Sequence, residues 1–248
     1  MAYLSIANKL SINRIIQPDI TGNLSGCGKD TYILQLEFGN HVPASSNATT
    51  PFKVSTWKDI SGNSRDFTQI GESNMPQWTG HGYNFDGNNQ FMSQVVSADA
   101  ITLDGVFTIG FAIKMGAAPS NLVTVADASS ANDFIRIKNS EQIEIKADGQ
   151  LRTIDLNSEL PNGDPVGIVI TRNESHGLRV YIDGTAQADT TSFTGSKPLD
   201  IDTVGCRNSQ INDFIGEIGE VIIYSCIEDG IVDDVIDRID EVRVQMIQ

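Results

Sequence analysis

Short apolar stretches recur along the chain, separated by clusters of Gly, Asn, Asp, Ser and Pro. Some alternate with polar residues and others are continuous. Because side chains of a strand point alternately to its two faces, alternation predicts a half-buried strand. A continuous short run bounded by turn residues predicts a strand covered on both faces. The predicted strands cover residues 31–38, 54–57, 83–87, 90–92, 107–115, 122–126, 134–138, 142–146, 151–156, 166–171, 178–183 and 218–224.

No helical pattern alternates with these strands, which argues against a parallel βαβ sheet. We therefore predict an all-β fold, an antiparallel two-sheet jelly-roll sandwich. One amphipathic helix is predicted at the C-terminus, over residues 228–246, and we expect its apolar stripe to pack on the sandwich rather than form a coiled coil or contact a partner. The residues of the stripe are Val232, Val235, Ile239, Val242 and Met246.

Two regions follow from this assignment. Residues 1–30 mix short apolar runs with turn residues and are predicted to be an N-terminal arm or docking segment. Residues 31–248 are predicted to be one β-sandwich with its C-terminal helix, since a two-sheet sandwich can use this length as one domain. Within it, residues 39–51 are rich in Ser, Asn, Thr and Pro and predict a loop.

Charge limits the classes of expected partner, and the cysteine content indicates whether disulfide bonds are expected. The chain has 32 acidic and 17 basic residues and a net charge of −15. This charge repels phosphate backbones and anionic bilayers, so neither nucleic acid nor membrane is an expected partner. The three cysteines, Cys27, Cys206 and Cys226, are too few for a disulfide framework, so we expect buried thiols, with a Cys206–Cys226 bond left open.

Several motifs, in this order and spacing, resemble the concanavalin A-like lectin/glucanase superfamily in its laminin G-like branch. The resemblance runs from about Tyr32 to the C-terminus. It implies a lectin-like sandwich in which most of the motifs are architectural. The segments that carry it are WKDISGN (57–63), DFTQ (66–69), Pro76, NFDGNNQ (84–90), VITR (169–172), LRVYIDGT (178–185) and FIGEIGEVIIY (214–224).

The superfamily that the chain resembles includes glycoside hydrolases, which place two carboxylates on either side of one glycosidic bond. The acids Glu141 and Glu144 are three residues apart, as are Glu217 and Glu220. Strand alternation would put the members of each pair on opposite faces. The three histidines, His41, His81 and His176, lie in predicted loops, away from metal-ligand spacing, and we expect them to be exposed. We therefore expect a non-enzymatic protein.

Two kinds of binding site remain as hypotheses. Sugar sites on sandwiches combine an aromatic platform with amides at loop ends. The residues that fit this pattern are Trp78, Tyr83, Asn88, Asn89 and Gln90.

No cofactor is required, but calcium is retained as a hypothesis. Members of the family that the chain resembles often bind calcium through loop oxygens, and oxygen ligands are those that calcium prefers. The primary candidates are Asp59, Asp86 and Asp213, and the further loop acids are Asp127 and Asp133.

The resemblance implies a structural or accessory protein of a phage particle, either a capsid decoration protein or a tail-fibre module. The N-terminus lacks the pattern of a signal peptide, so we expect synthesis in the host cytoplasm and location in the virion, or else outside the cell after non-classical release. The expected partners are other virion proteins, surface polysaccharide and copies of the same chain. The alternative function is a glycan-binding lectin module for surface attachment, and the third is a glycoside hydrolase.

Overall fold

The computed structural model describes residues 31–46, 49–94, 100–127, 129–206 and 213–247. The predicted arm at residues 1–30 lies outside the described residues. No helix among the described residues is both long and apolar enough to span a bilayer. The single α-helix of the described residues is α1, Asp229–Gln245, and a short 3-10 helix covers Glu72–Asn74. The strands are β1 Tyr32–Pro43, β2 Phe52–Asp59, β3 Phe67–Thr68, β4 Gln77–Trp78, β5 Tyr83–Asp86, β6 Met92–Gln94, β7 Ile101–Leu103, β8 Phe107–Met115, β9 Leu122–Ala126, β10 Phe134–Asn139, β11 Gln142–Ala147, β12 Gln150–Asp155, β13 Pro165–Arg172, β14 Gly177–Ile182, β15 Thr185–Ala186, β16 Thr191–Ser192, β17 Leu199–Ile201, β18 Thr203–Val204 and β19 Ile215–Tyr224.

The strands form two antiparallel layers, as the sequence predicts. In one layer the order is β14, β13, β8, β19 and β1. In the other it is β12, β11, β10, β9, β18, β6 and β3. Strand β2 pairs with both β1 and β3 and so joins the layers along one side.

The core lies between the layers. Along β8, the alternate side chains Phe107, Ile109 and Phe111 enter it, whereas Gly110 and Ala112 face outward toward α1. Both faces of this strand are therefore covered, which explains why its sequence is almost continuously apolar.

Helix α1 packs on the outer face of the first layer, against β8 and β13. All five residues of the predicted stripe are buried there, so the predicted packing of the helix on its own sandwich is confirmed. The approach is close: a Cβ added to Gly110 would lie 2.7 Å from Val235 and 2.8 Å from Ile239. Glycine at this position is what lets the helix lie so near the sheet.

Two sequence expectations need correction here. Strand β1 continues to Pro43, so the predicted loop beginning at Gly39 starts too early. The second half of β1 is held by pairing with β2, and His41, opposite Trp57, is a half-buried strand residue rather than an exposed loop residue.

The cysteines differ from one another. Cys206 is a buried free thiol, as expected, whereas the expectation of a free thiol at Cys226 is wrong, because this residue is disulfide-bonded. The bond between these two residues that the sequence leaves open is therefore not formed. Burial raises the pKa of the Cys206 thiol to about 12, so it stays protonated at neutral pH and is a poor nucleophile.

Candidate functional site

A groove with a volume of about 790 Å³ runs along the outer face of β14, beside the start of α1. Its walls come from the end of β13, from β14 and β16, and from the first turns of the helix. Much of the lining is exposed and polar. The polar side chains in it include Asn173, Arg179, Tyr181, Thr191, Ser192 and Asp233.

Strand alternation decides which side chains of β14 face the groove. Leu178 and Val180 are buried in the core between the layers. Arg179 and Tyr181, at the alternate positions, therefore point outward. Tyr181 is half-buried because its ring packs at the edge of the apolar cluster under α1, while Arg179 is exposed.

The turn between β13 and β14 forms one end of the groove and is held by its own hydrogen bonds. The backbone N–H of Gly177 donates to Asn173 Oδ1 at 2.8 Å, and the N–H of His176 donates to the Asn173 carbonyl at 2.8 Å. His176 adopts a positive φ of 63°, in the left-handed region. Because the turn is closed internally, it presents a fixed polar rim.

Arg179 and Asp233 give the groove one positive and one negative group. Within the described part of the chain, neither side chain makes a hydrogen bond or an ion pair with another protein group. Thr190, Thr191 and Ser192 add hydroxyls along the opposite rim. The groove can thus offer donors, acceptors and the half-buried ring of Tyr181 to a polar ligand.

The predicted aromatic platform is not a surface. Tyr83 is fully buried and contacts Trp57, with ring centroids 4.0 Å apart. Trp78 is half-buried in β4 and packs edge-on against Phe38, 5.1 Å away, as well as against His41. Tyr83 belongs to the core and cannot contact a sugar in this conformation, whereas Trp78 packs against the core and is partly exposed.

The predicted amides lie apart from that aromatic cluster, past the other end of β5. Gln90 is buried, and its side chain accepts from the Asp86 N–H at 2.9 Å and donates to the Asp86 carboxylate at 3.0 Å. Asn88 and Asn89 are exposed in the turn that follows β5. The five predicted sugar-binding residues therefore do not form one site.

The predicted calcium ligands divide between two places. Asp86 and Asp213 are neighbours at the turn after β5, where Asn89 donates its N–H to Asp213 at 2.9 Å. Asp59 is elsewhere and organises the turn after β2, accepting from the backbone N–H groups of Ser61 and Arg65, each at 2.9 Å. The structure does not bring Asp59 to the other two.

A different set of three acids converges. The carboxylate oxygens of Asp127, Asp133 and Asp200 all lie within 4.8 Å of one another. Asp127 and Asp133 are buried, and burial together with the neighbouring acids raises the pKa of Asp133, although backbone hydrogen bonds act in the opposite direction. Hard oxygen ligands at this spacing suit calcium, so these residues could hold the ion.

Sequence reasoning identified two of these acids and missed Asp200. That residue lies in β17, a strand of three residues whose one partner among the described strands is β7. The alternation of Leu199 and Ile201 around Asp200 was the available signal, because both neighbours are buried in the core.

The predicted orientation of one acid pair is wrong. A register shift between Ile218 and Glu220 in β19 interrupts the alternation, so Glu217 and Glu220 both lie on the side of the sheet that faces α1. Glu220 is fully buried and bound by Arg238, and Glu217 accepts a hydrogen bond from the Thr79 hydroxyl at 2.8 Å. Glu220 is thus covered by the helix and closed to a substrate.

Most of the sandwich matches a known family by sequence. The sequence model of a laminin G family, described as the concanavalin A-like lectin/glucanases superfamily, matches residues 86–227, more than half of the 248 residues. The chain belongs to this superfamily. The match confirms the resemblance that the sequence motifs indicate, and it includes the whole of β14. No curated protein matches the chain by sequence.

Solved structures share the fold at low identity. The receptor binding domain of botulinum neurotoxin D is 16% identical, with a TM-score of 0.55, covering 88% of this chain and 54% of the toxin chain. The ligand binding domain of botulinum neurotoxin serotype D, in complex with N-acetylneuraminic acid, is 16% identical, with a TM-score of 0.53, covering 87% and 51%. The binding domain of botulinum neurotoxin DC, in complex with rat synaptotagmin II, is 14% identical, with a TM-score of 0.51, covering 86% and 52%. The chain spans about half the length of these toxin chains, and the similarity establishes a lectin-like fold.

Sequence reasoning placed the strand containing Arg179 and Tyr181 but did not identify these residues as a site. The signal was present in the alternation of LRVYI, where an arginine and a tyrosine share the face opposite the core. What the sequence could not supply was the wall formed by α1, since no local pattern shows which strand the helix lies beside.

Proposed function

We propose that this chain is a non-catalytic carbohydrate-binding module and that its sugar site is the groove beside β14. The observation that carries the proposal is the groove itself: an exposed concavity, large enough for a short oligosaccharide, lined by hydroxyl, amide and charged groups around one aromatic ring. The lectin-like fold supports it.

The chemistry of the groove fits a sugar better than an apolar ligand. Ring hydroxyls both donate and accept, so they need partners of both kinds, which Asn173, Thr191 and Asp233 provide. The apolar face of a sugar ring can pack on an aromatic side chain such as Tyr181, whose body is held by the cluster beneath α1. Affinity then comes from many modest contacts in one fixed surface.

The groove favours binding over hydrolysis. Cleavage of a glycosidic bond by the usual mechanism requires two carboxyl groups on opposite sides of that bond. Among the described residues that line the groove, Asp233 is the single acid. A single carboxylate can hold a sugar hydroxyl but cannot serve as both acid and nucleophile or base.

The sharpest test places a bulky residue in the groove. Thr190→Trp should fill it and weaken binding by at least about tenfold, through loss of both contacts and space. Thr185→Trp is the matched control, because Thr185 is an exposed threonine in β15 outside the groove. Binding would be screened on a glycan array and measured by calorimetry on the glycans that bind.

The outcomes separate the two candidate surfaces. Weakening in Thr190→Trp but not in Thr185→Trp supports the groove. Weakening in Trp78→Ala with an intact fold, and none in Thr190→Trp, moves the site to the aromatic cluster. Failure to bind any carbohydrate would overturn the function itself.

The location of the protein in a virus particle stays a prediction that rests on the family resemblance alone. A carbohydrate-binding module on a particle would attach it to surface polysaccharide, so the two functions are compatible. Deleting residues 1–26, which lie outside the described residues and whose removal leaves all three cysteines in place, should prevent incorporation into purified particles while leaving glycan affinity unchanged. Normal incorporation of the deleted chain would contradict the predicted docking role.

A further inference from the structure

Arg179 differs from most other arginines of the described chain in having no partner within it. Five of the seven described arginines are bound: Arg136 to Glu144, Arg238 to Glu220, Arg243 to Asp240, and Arg152 and Arg172 to backbone carbonyls. Of the remaining two, Arg65 lies after the turn at Asp59, whereas Arg179 lines the groove.

We infer that the sugar bound in the groove carries a carboxylate and that Arg179 is the residue that binds it. This inference rests on the proposed function. A guanidinium presents a planar fork of donors that matches a carboxylate in two parallel hydrogen bonds, a geometry that neutral hydroxyls do not reproduce. The fork of Arg179 is exposed and not already occupied by a neighbouring acid of the described chain.

An arginine in the groove without a partner among the described residues is unexpected in a chain with so large an excess of acidic residues. With a net charge of −15, the chain has almost two acids for each base, yet none of the described acids pairs with Arg179. The acidic surface repels anions at long range, so an acidic sugar would need a specific local cation to bind. Within the groove, Asp233 acts against such a ligand, whereas the hydroxyls of Thr191 and Ser192 are neutral and suit the remaining ring positions.

The two charged groups therefore predict effects of opposite sign. Arg179→Gln should weaken binding of an acidic sugar by about tenfold or more, because the charge-assisted pair is lost. Asp233→Asn should strengthen the same binding by about two- to fivefold at low salt, because a repulsive charge is removed. Arg179→Lys, which keeps the charge but loses the fork, should lie between Arg179→Gln and the native chain.

The experiment compares acidic probes with neutral counterparts on the full chain. Trigalacturonic acid is compared with its methyl ester, and sialyllactose with lactose, by titration calorimetry at low and physiological salt. Arg65→Gln is the matched control, since it removes an arginine outside the groove. Unchanged melting temperatures for all variants would show that folding is intact.

We expect an acidic probe to bind more tightly than its neutral counterpart, and this preference to disappear in Arg179→Gln but not in Arg65→Gln. Equal binding of acidic and neutral probes, unaffected by Arg179→Gln, would overturn the inference while leaving the proposed function standing. If a sulfated sugar bound as tightly as the carboxylated probe, the assignment of the ligand group to a carboxylate would be overturned. Absence of binding to every sugar, acidic or neutral, would overturn the proposed function together with the inference.

Discussion

The attachment of α1 to the sandwich depends on a buried ion pair whose disruption has a large expected effect. Glu220, on β19, is fully buried and accepts four hydrogen bonds. Two come from Arg238 on α1, at 2.8 and 2.6 Å, one from Gln35 at 2.5 Å and one from the Phe38 N–H at 3.1 Å. Replacing Arg238 with Met removes two of these donors and the only cation that pairs with this carboxylate among the described residues.

The expected loss of stability follows from the unpaired carboxylate of Glu220 that the substitution leaves buried. Removing one partner of a buried pair costs about 3–5 kcal/mol, because the remaining charge is neither solvated nor paired. The two lost charge-assisted bonds, at about 1.5–3 kcal/mol each, give a similar range. We therefore expect Arg238→Met to lower the free energy of unfolding by about 3–5 kcal/mol. The double variant Glu220→Gln/Arg238→Met should recover most of this, because no buried charge remains.

Urea unfolding monitored by circular dichroism and tryptophan fluorescence would measure these differences, with the slope of the transition checked for constancy. Asp237→Asn is the matched control, since it changes an exposed charge next to Arg238 on the same helix and should alter stability by less than about 0.5 kcal/mol. The reasoning would be refuted by an Arg238→Met protein within about 1 kcal/mol of the native chain, or by a double variant no more stable than the single one.

Three further predictions concern stability, the first two measured by urea unfolding and the third by thermal unfolding. Gly110→Ala should destabilise the protein by about 1–3 kcal/mol, because its Cβ would overlap Ile239 of α1. Burial alone would raise the pKa of Glu144, but hydrogen bonds and attraction from Arg136 and a neighbouring lysine outweigh it and hold the pKa below 4.5. The stabilisation from ionised Glu144 is therefore present above about pH 4.5 and lost as the pH falls through the lower native pKa, so Glu144→Gln should be less stable than the native chain at pH 7 and the gap should close in acid. Millimolar calcium should raise the melting temperature of the native chain, and Asp133→Asn should abolish this rise. A melting temperature of the native chain that does not change with calcium would contradict the hypothesis that the three acids bind the ion.

The long elements could be predicted from sequence because burial on both sides leaves an unambiguous pattern. The bounds predicted for β8 and β9 are those observed, and the predicted helix over residues 228–246 extends one residue beyond α1 at each end. Elements of two residues, such as β3 and β16, were missed, since two residues carry no period. They are strands because a partner pairs with them, as Thr191 does with Leu178.

The candidate sites were less predictable than the fold. A sequence shows that Trp78 is a polar-flanked aromatic, but not that Phe38 and His41 arrive from β1 to enclose it. Likewise, strict alternation put Glu217 and Glu220 on opposite faces, and a single bulge reversed that result. Each error came from a contact between residues far apart in the chain.

Sequence by itself determined the class of fold, the order of its main strands and the apolar face of the C-terminal helix, because each depends on local periodicity and burial. Only the tertiary structure decided where that helix lies, and with it the groove that Arg179 and Asp233 share. It also brought Asp127, Asp133 and Asp200 together from three separate segments. A site on a sandwich is assembled by packing between segments that are far apart in the chain, so no local sequence pattern predicts it.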